Sequence, residues 1–103
     1  MYRFRFRVQV RLGHFNDYLT QQQQLNELAK GRGWPEATFW VPTAGTANEF
    51  IGEIDYPDLA TFQRLGEEFG SDAEAMGLVR SGIEHLVEGS VHSELFETPA
   101  QIA

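Results

Sequence analysis

The sequence contains no cysteine, and this absence removes several classes of protein at once. Disulfide scaffolds, thiolate metal sites and cysteine nucleophiles are all excluded. No apolar run approaches the roughly 20 residues that a membrane-spanning helix needs. The 103 residues suit one domain. We place that domain at residues 1–97 and a C-terminal tail at residues 98–103.

Positive charge is scarce outside the first twelve residues. That stretch holds Arg3, Arg5, Arg7 and Arg11 and no acid, whereas the rest of the chain carries four basic and fifteen acidic side chains. An acidic body repels nucleic acid and anionic membrane, so we expect neither as a partner. Because a structural pattern begins at Tyr2, we expect no signal peptide and a cytoplasmic location.

Residues 2–12 predict the first β-strand. Apolar and polar residues alternate with period two over eleven positions, which is the pattern of a strand with one apolar face. The apolar face comprises Tyr2, Phe4, Phe6, Val8, Val10 and Leu12, and the polar face comprises Arg3, Arg5, Arg7, Gln9 and Arg11.

Capping residues and glycines mark the elements that follow. Asn16 or Asp17 can cap a first helix that runs to about Lys30 and ends at the following glycines. Two strands are predicted at 36–42 and 48–56, with a small-residue hairpin loop between them.

The last part of the chain predicts two more helices and one strand. Pro57 and Asp58 open a second helix, and Ser71 or Asp72 caps a third. Residues 90–97 form the last strand, with His92, Glu94 and Phe96 on one face. The buried positions predicted around the third helix are Met76, Val79, Ile83 and Leu86.

The element order predicts an α+β, ferredoxin-like fold. A βαββαβ order with an extra helix before the last strand suits a four-stranded antiparallel sheet in the order 4-1-3-2, with its helices on one face. The other face then carries the arginines together with Trp40, Ile51 and Phe96. Such apolar residues are rarely left together in solvent, so we expect this face to form a homodimer.

Residues 45–97 contain four segments that resemble a known family. They read GTANEF, EIDYPDLATFQ, SDAEAM and VEGSVHSELFE. They resemble the NIPSNAP-like branch of the dimeric α/β-barrel superfamily. The resemblance implies two ferredoxin-like units whose sheets close into a barrel. Relatives include cofactor-independent monooxygenases, haem-degrading enzymes, small isomerases and stress proteins, so the fold does not settle the function.

The monooxygenase branch uses an Asn, a Trp and a His within its cavity. This trio does not map onto the chain, because the first strand contains no asparagine. The departure weighs against an oxygenase.

The uncovered face supplies the candidate ligand-binding residues. Arg5 and Arg7 are suited to an anion such as a carboxylate or phenolate, and Trp40 to stacking on a flat aromatic molecule. The alternative is a charge ladder in which Glu53, Asp55 or Glu94 holds the arginines. The alternative for Trp40 is interface packing.

The candidate catalytic residues lie on the same face. His92 is the histidine there able to move protons near neutral pH, and Glu53 or Glu94 could do so in a dry cavity. His92 and Glu94 point the same way along their strand and could supply two metal ligands, but two ligands are not a site. We predict no metal and no organic cofactor. We interpret His14 as a loop residue and His85 as a helix-surface residue.

Two functions stay open from the sequence. One is a homodimeric enzyme or binding protein that takes a small anionic or aromatic molecule between its paired sheets. The other is a non-enzymatic homodimeric structural or interaction module whose sheet faces are filled by dimer packing. The volume left between the sheets distinguishes them.

Overall fold

A computed structural model describes residues 1–99 as a four-stranded antiparallel sheet with three helices. The elements in chain order are β1 Tyr2–Gln9, α1 Phe15–Arg32, β2 Thr38–Trp40, β3 Glu49–Tyr56, α2 Leu59–Ser71, α3 Ala73–Ile83 and β4 His92–Glu97. The predicted ferredoxin-like α+β fold, with its extra helix before the last strand, is therefore confirmed.

The strand order is β2-β3-β1-β4, as predicted. On one side β1 pairs with β3, from Tyr2 opposite Tyr56 to Gln9 opposite Glu49. On the other side β1 pairs with β4, where Arg7 lies opposite His92. The central position of β1 places its arginines between the acidic positions of β3 and β4.

The inner face of the sheet packs against the helices. The core contains Val8 from β1, Val10 just after it, Phe50 from β3, Tyr18 from α1, and Leu86. Phe50 is almost fully buried, and Tyr18 meets its ring edge-on with centroids 5.1 Å apart. Burial of a side chain such as Phe50 stabilises the fold by about 1.5–3 kcal/mol. The core therefore holds α1 against the centre of the sheet.

Aspartate caps begin both later helices. Asp58 accepts a hydrogen bond from the Thr61 N–H at 2.7 Å, and Asp72 accepts one from the Ala75 N–H at 2.9 Å. These are N-cap bonds, which satisfy helix donors that have no partner inside the helix. The sequence predicted helix starts at Pro57 and Asp58 and at Ser71 or Asp72, and the residues that cap the two helices are Asp58 and Asp72.

The start of α1 was predicted wrongly. Asn16 and Asp17 lie inside the helix, which begins at Phe15 with His14 as an N-cap that makes no side-chain capping bond. Gly13 turns the chain with a φ of 84°, and the His14 carbonyl already accepts the Tyr18 N–H at 3.0 Å. Backbone geometry at the turn, rather than a capping side chain, sets this helix end.

The predicted strands were too long. β1 ends at Gln9, and Val10 makes only an isolated bridge to Leu86. Leu12, predicted on the apolar face, is 84% exposed because the chain has already turned away from the sheet. β2 shortens to Thr38–Trp40, and β4 begins two residues later than predicted.

Helix burial also differs from the predicted pattern. Gln21 and Gln22 are buried, whereas Ile83 is exposed. Gln21 donates from Nε2 to the Leu78 carbonyl at 2.6 Å and accepts from Gln22 at 2.8 Å. A β-carbon on Gly82 would lie only 2.7 Å from the Gln21 amide, so this glycine lets the two helices approach.

Only the first residues of the predicted tail lie within the described chain. Thr98 donates from its backbone N–H to the Met1 carbonyl at 2.9 Å, which joins the two ends of the described chain. Residues 100–103 of the predicted tail lie outside the described residues. Within residues 1–99, no helix combines the length and apolar character needed to cross a bilayer.

Candidate functional site

The outer sheet face brings together all the residues that the sequence nominated. Strand register places them in two rows that cross the sheet. One row runs Trp40, Ile51, Arg7, His92, and the next runs Thr38, Glu53, Arg5, Glu94. A third, shorter row holds Asp55, Arg3 and Phe96. The aromatic contacts of α1 and α2 with the sheet involve inner-face residues such as Phe4 and Phe50.

The arginines of β1 form a ladder of ion pairs, which confirms the charge-ladder alternative. Arg3 donates two hydrogen bonds to Asp55, from Nε to Oδ1 at 2.8 Å and from Nη2 to Oδ2 at 3.1 Å. Arg5 donates from Nε to Glu53 Oε2 at 2.8 Å, and its Nη2 lies 2.8 Å from the same oxygen in an ion pair. We refer to these pairs and Arg7–Glu94 as the arginine ladder.

The Arg7–Glu94 pair is diagonal, since Glu94 faces Arg5 in the strand register. Glu53 already holds Arg5, so Glu94 accepts from Arg7 Nη2 instead, at 2.6 Å. Arg7 Nε is buried and makes no hydrogen bond to any described residue. It is the one buried polar side-chain atom without a partner among residues 1–99, and buried polar groups normally have one.

At the Arg3 end of the ladder, the ion pair favours the charged forms of both Asp55 and Arg3. The hydrogen bond from Arg3 holds the pKa of the Asp55 carboxyl below its usual range. The same bond raises the pKa of Arg3. Both side chains of this pair are close to half exposed, so water screens their attraction. The more buried Glu53 belongs to the pair that anchors the ladder at the sheet centre.

Apolar side chains stand exposed beside the ladder. Trp40 is 55% exposed and Phe96 is 40% exposed, on opposite edge strands of the sheet. The Arg5 guanidinium lies over the Phe96 ring, with Cζ 4.8 Å from the ring centroid, a cation–π distance. Trp40 and Phe96 therefore lie on either side of the arginine ladder.

A cavity of about 240 Å³ opens at the β2–β3 side of this face. Trp40 and Glu53 line it, together with Arg3, Pro35, Glu36, Thr38 and Asp55. The predicted ligand residues Arg5 and Arg7, and the predicted catalytic residues His92 and Glu94, are not part of its lining. Three carboxylates and one guanidinium give it a net negative character.

His92 stands apart from that cavity. It is exposed on the edge strand β4, opposite Arg7. Glu94 shares its face, but its carboxylate is engaged by Arg7. Among residues 1–99 no hydrogen bond joins His92 to Glu94, so the structure does not assemble the base with its orienting carboxylate.

A second cluster lies away from the sheet face and was missed from the sequence. His14 and His85, interpreted from the sequence as a loop residue and a helix-surface residue, have their Nδ1 atoms 3.0 Å apart. The Asp17 carboxylate lies within 4.8 Å of both. The two histidines are 71 residues apart, so no local spacing could reveal the pair.

Comparison with known proteins supports the fold. No protein-family model and no curated protein matches the chain. A solved structure of an uncharacterised NIPSNAP domain protein from Burkholderia xenovorans is similar, with a TM-score of 0.80, 15% identity, and 100% of this chain and 99% of that chain covered. A NIPSNAP family protein from Agrobacterium tumefaciens has a TM-score of 0.78 and 11% identity, with 95% and 92% covered.

An antibiotic biosynthesis monooxygenase is also similar, with a TM-score of 0.75 and 13% identity over 97% of this chain and 100% of that chain. At these identities the likeness concerns the fold rather than the activity. The chain therefore has the ferredoxin-like fold found in NIPSNAP domain proteins and in antibiotic biosynthesis monooxygenases.

Proposed function

We propose that this chain is a cytoplasmic homodimer that binds a small aromatic molecule between two paired sheet faces. The observation that carries the proposal is the outer face itself, on which Trp40 and Phe96 stand exposed beside the arginine ladder. Apolar residues grouped on an uncovered face favour association. A second copy of the chain would cover Trp40 and Phe96 and would enclose the cavity beside Trp40 in a dimeric α/β barrel.

Trp40 and the cavity charges decide the ligand chemistry within this proposal. The indole supplies a wall for a flat ring. Glu36, Glu53 and Asp55 surround the same space, and the Arg3 guanidinium there is already paired with Asp55. This charge balance favours a neutral ring bearing hydrogen-bond donors over a free anion. An anion would have to approach Arg5 or Arg7 and compete with Glu53 or Glu94.

The proton-transfer part of the proposal rests on the same face. His92 would act as the base if the molecule is converted, with Glu53 and Glu94 as the available carboxylates. Arg5 and Arg7 would then hold developing negative charge, and the buried Arg7 Nε is a donor with no partner among the described residues. Conversion requires that dimerisation bring His92 towards the cavity from one subunit or the other.

The second candidate is the non-enzymatic interaction module. The arginine ladder favours it, because each of Arg3, Arg5 and Arg7 already has a carboxylate partner. A face whose charges are satisfied internally is suited to burial against a copy of itself. Under this candidate Trp40 and Phe96 are packing residues, and no space for a ligand remains.

Tryptophan fluorescence can distinguish the two candidates. The chain has two tryptophans, and Trp34 lies elsewhere, against Phe69 with its indole N–H bonded to Glu68. A Trp34→Phe variant leaves Trp40 as the reporter. Saturable quenching by hydroxylated aromatic compounds, lost in Glu53→Gln, supports ligand binding. No response to neutral or anionic aromatics, with Trp40 already shielded from acrylamide, would favour the interaction module.

A further inference from the structure

The cluster of His14, Asp17 and His85 lies outside the proposed ligand site. We propose that it binds a divalent transition-metal ion of the zinc type through two imidazoles and one carboxylate. All three ligand atoms lie within 4.8 Å of one another. Two histidines and a carboxylate are a common donor set for such metals.

The separation of the two imidazoles fits coordination to one ion. Their Nδ1 atoms are 3.0 Å apart. Metal–nitrogen bonds of about 2.0–2.1 Å place two ligand nitrogens about 2.9 Å apart at a right angle and about 3.3 Å apart at a tetrahedral angle. The observed separation lies between these two values, so the distance suits coordination to one ion once the proton between the rings is displaced and each ring turns its nitrogen towards the ion.

The backbone holds both histidines in place before any ion arrives. The Arg11 N–H donates to the His85 carbonyl at 2.8 Å, and the Val87 N–H donates to the Gln9 carbonyl at 2.9 Å. His14 donates its N–H to the Arg11 carbonyl at 3.0 Å. The segment after α3 is thus fixed beside the end of β1, and the site needs little ordering on binding.

Asp17 completes the set from the first turn of α1. Both histidines are partly buried, whereas Asp17 is exposed and its side chain can swing towards an ion. Its negative charge offsets the positive end of the helix dipole, which otherwise disfavours a cation here. Three protein ligands leave at least one position open for water or another small ligand.

The positive charge of Arg11 near the cluster affects which metal ions it would bind. Arg11 lies on the adjoining segment, with its Nε bonded to the Leu86 carbonyl at 3.0 Å. A neighbouring guanidinium weakens the general attraction for cations. Binding must then come from imidazole coordination, which suits zinc, nickel and copper rather than magnesium or calcium.

The test is metal titration of the untagged, metal-free protein. We expect one Zn²⁺ per chain by isothermal titration calorimetry, a rise in melting temperature with Zn²⁺, and no response to Mg²⁺. Visible absorption bands of bound Co²⁺ would report its coordination. His14→Gln and His85→Gln should weaken Zn²⁺ binding by more than about tenfold, since loss even of an outer-shell partner costs 10–100-fold.

His92→Gln is the matched control, because it changes the remaining histidine of the chain, which lies on the outer sheet face. It should bind Zn²⁺ like the parent protein. Asp17→Asn gives a variant that leaves both rings intact and should weaken binding without unfolding the chain. Absence of Zn²⁺ binding to the folded protein would overturn the proposal, and so would equal binding by the His14 and His85 variants. Either result would leave the two rings as a simple hydrogen-bonded pair.

Discussion

The ring of Phe6 lies directly over Gly52, its partner across β1 and β3, so a β-carbon at position 52 would overlap the ring. Gly52 is buried in the middle of a strand, where glycine is otherwise unfavourable. The residue therefore provides the space that the Phe6 ring occupies on the inner face of the sheet.

Gly52→Ala should destabilise the fold. The added methyl group forces Phe6 out of its position, and overpacking of a core typically costs about 1–3 kcal/mol. Urea unfolding followed by circular dichroism measures this change. Gly66→Ala is the matched control, because Gly66 lies in α2 with open space around it. It should be stabilising by about 0.4–1 kcal/mol. Equal effects of the two substitutions would show that Phe6 does not depend on Gly52.

Glu53→Ala should cost more than an ordinary surface substitution. It leaves Arg5 without its partner, and the Glu53 side chain is only 14% exposed. We expect about 1–2 kcal/mol, between the roughly 0.5 kcal/mol of a surface change and the 3–5 kcal/mol of a fully buried pair. Glu67→Ala on the exposed surface of α2 is the control. A loss within the surface range would mean that Arg5 is free to serve a ligand.

The stability of the fold should fall in acid. Arg32, together with the Ala75 N–H, holds the pKa of Asp72 below its usual range. Because the folded pKa lies below the unfolded value of about 3.9, this contribution is present above pH 4 and is lost as pH falls through the folded pKa.

Asp72→Asn keeps an oxygen that can cap α3 but removes the charge that Arg32 holds at 2.8 Å. We expect a lower melting temperature than the parent at neutral pH and a smaller decline between pH 5 and pH 2. Asp72→Ala should be less stable than Asp72→Asn, since it also loses the cap. If the melting temperatures of the parent and of Asp72→Asn fell by the same amount between pH 5 and pH 2, the proposed linkage would be contradicted.

Much of the fold could be predicted from the sequence because its signals are local. The two-residue alternation of β1 fixed both faces of the central strand, and the acids of β3 and β4 then predicted the partners of Arg3, Arg5 and Arg7. Pro57 with Asp58, and Ser71 or Asp72, marked two helix starts, and the side chains of the two aspartates make the caps. In each case one residue type carries a physical preference for its position.

The errors arise where tertiary contacts override such local patterns. Leu12 continues the alternation of β1, but the turn at Gly13 removes it from the sheet. Gln21 and Gln22 are polar, yet they are buried because Gln22 donates to Gln21 and Gln21 donates to the Leu78 carbonyl. His14 and His85 meet only because the segment after α3 bonds to the end of β1. The periodicity of apolar residues along the chain cannot reveal contacts between residues that are far apart in the sequence.

The central claim is that the outer sheet face forms a homodimer. A substitution on that face should break the dimer, and an equally exposed residue elsewhere gives the control. Phe96 lies on the outer face and Leu59 at the start of α2, and each is 40% exposed. A glutamate at position 96 would place an unpaired charge in the interface, whereas one at position 59 would remain in solvent.

The most direct measurement is the mass of the chain in solution by light scattering at micromolar concentration. We expect twice the 11.7 kDa chain mass for the parent and for Leu59→Glu, and the single-chain mass for Phe96→Glu. A parent protein at 11.7 kDa, or a Phe96→Glu variant that stays at twice that mass, would contradict the claim.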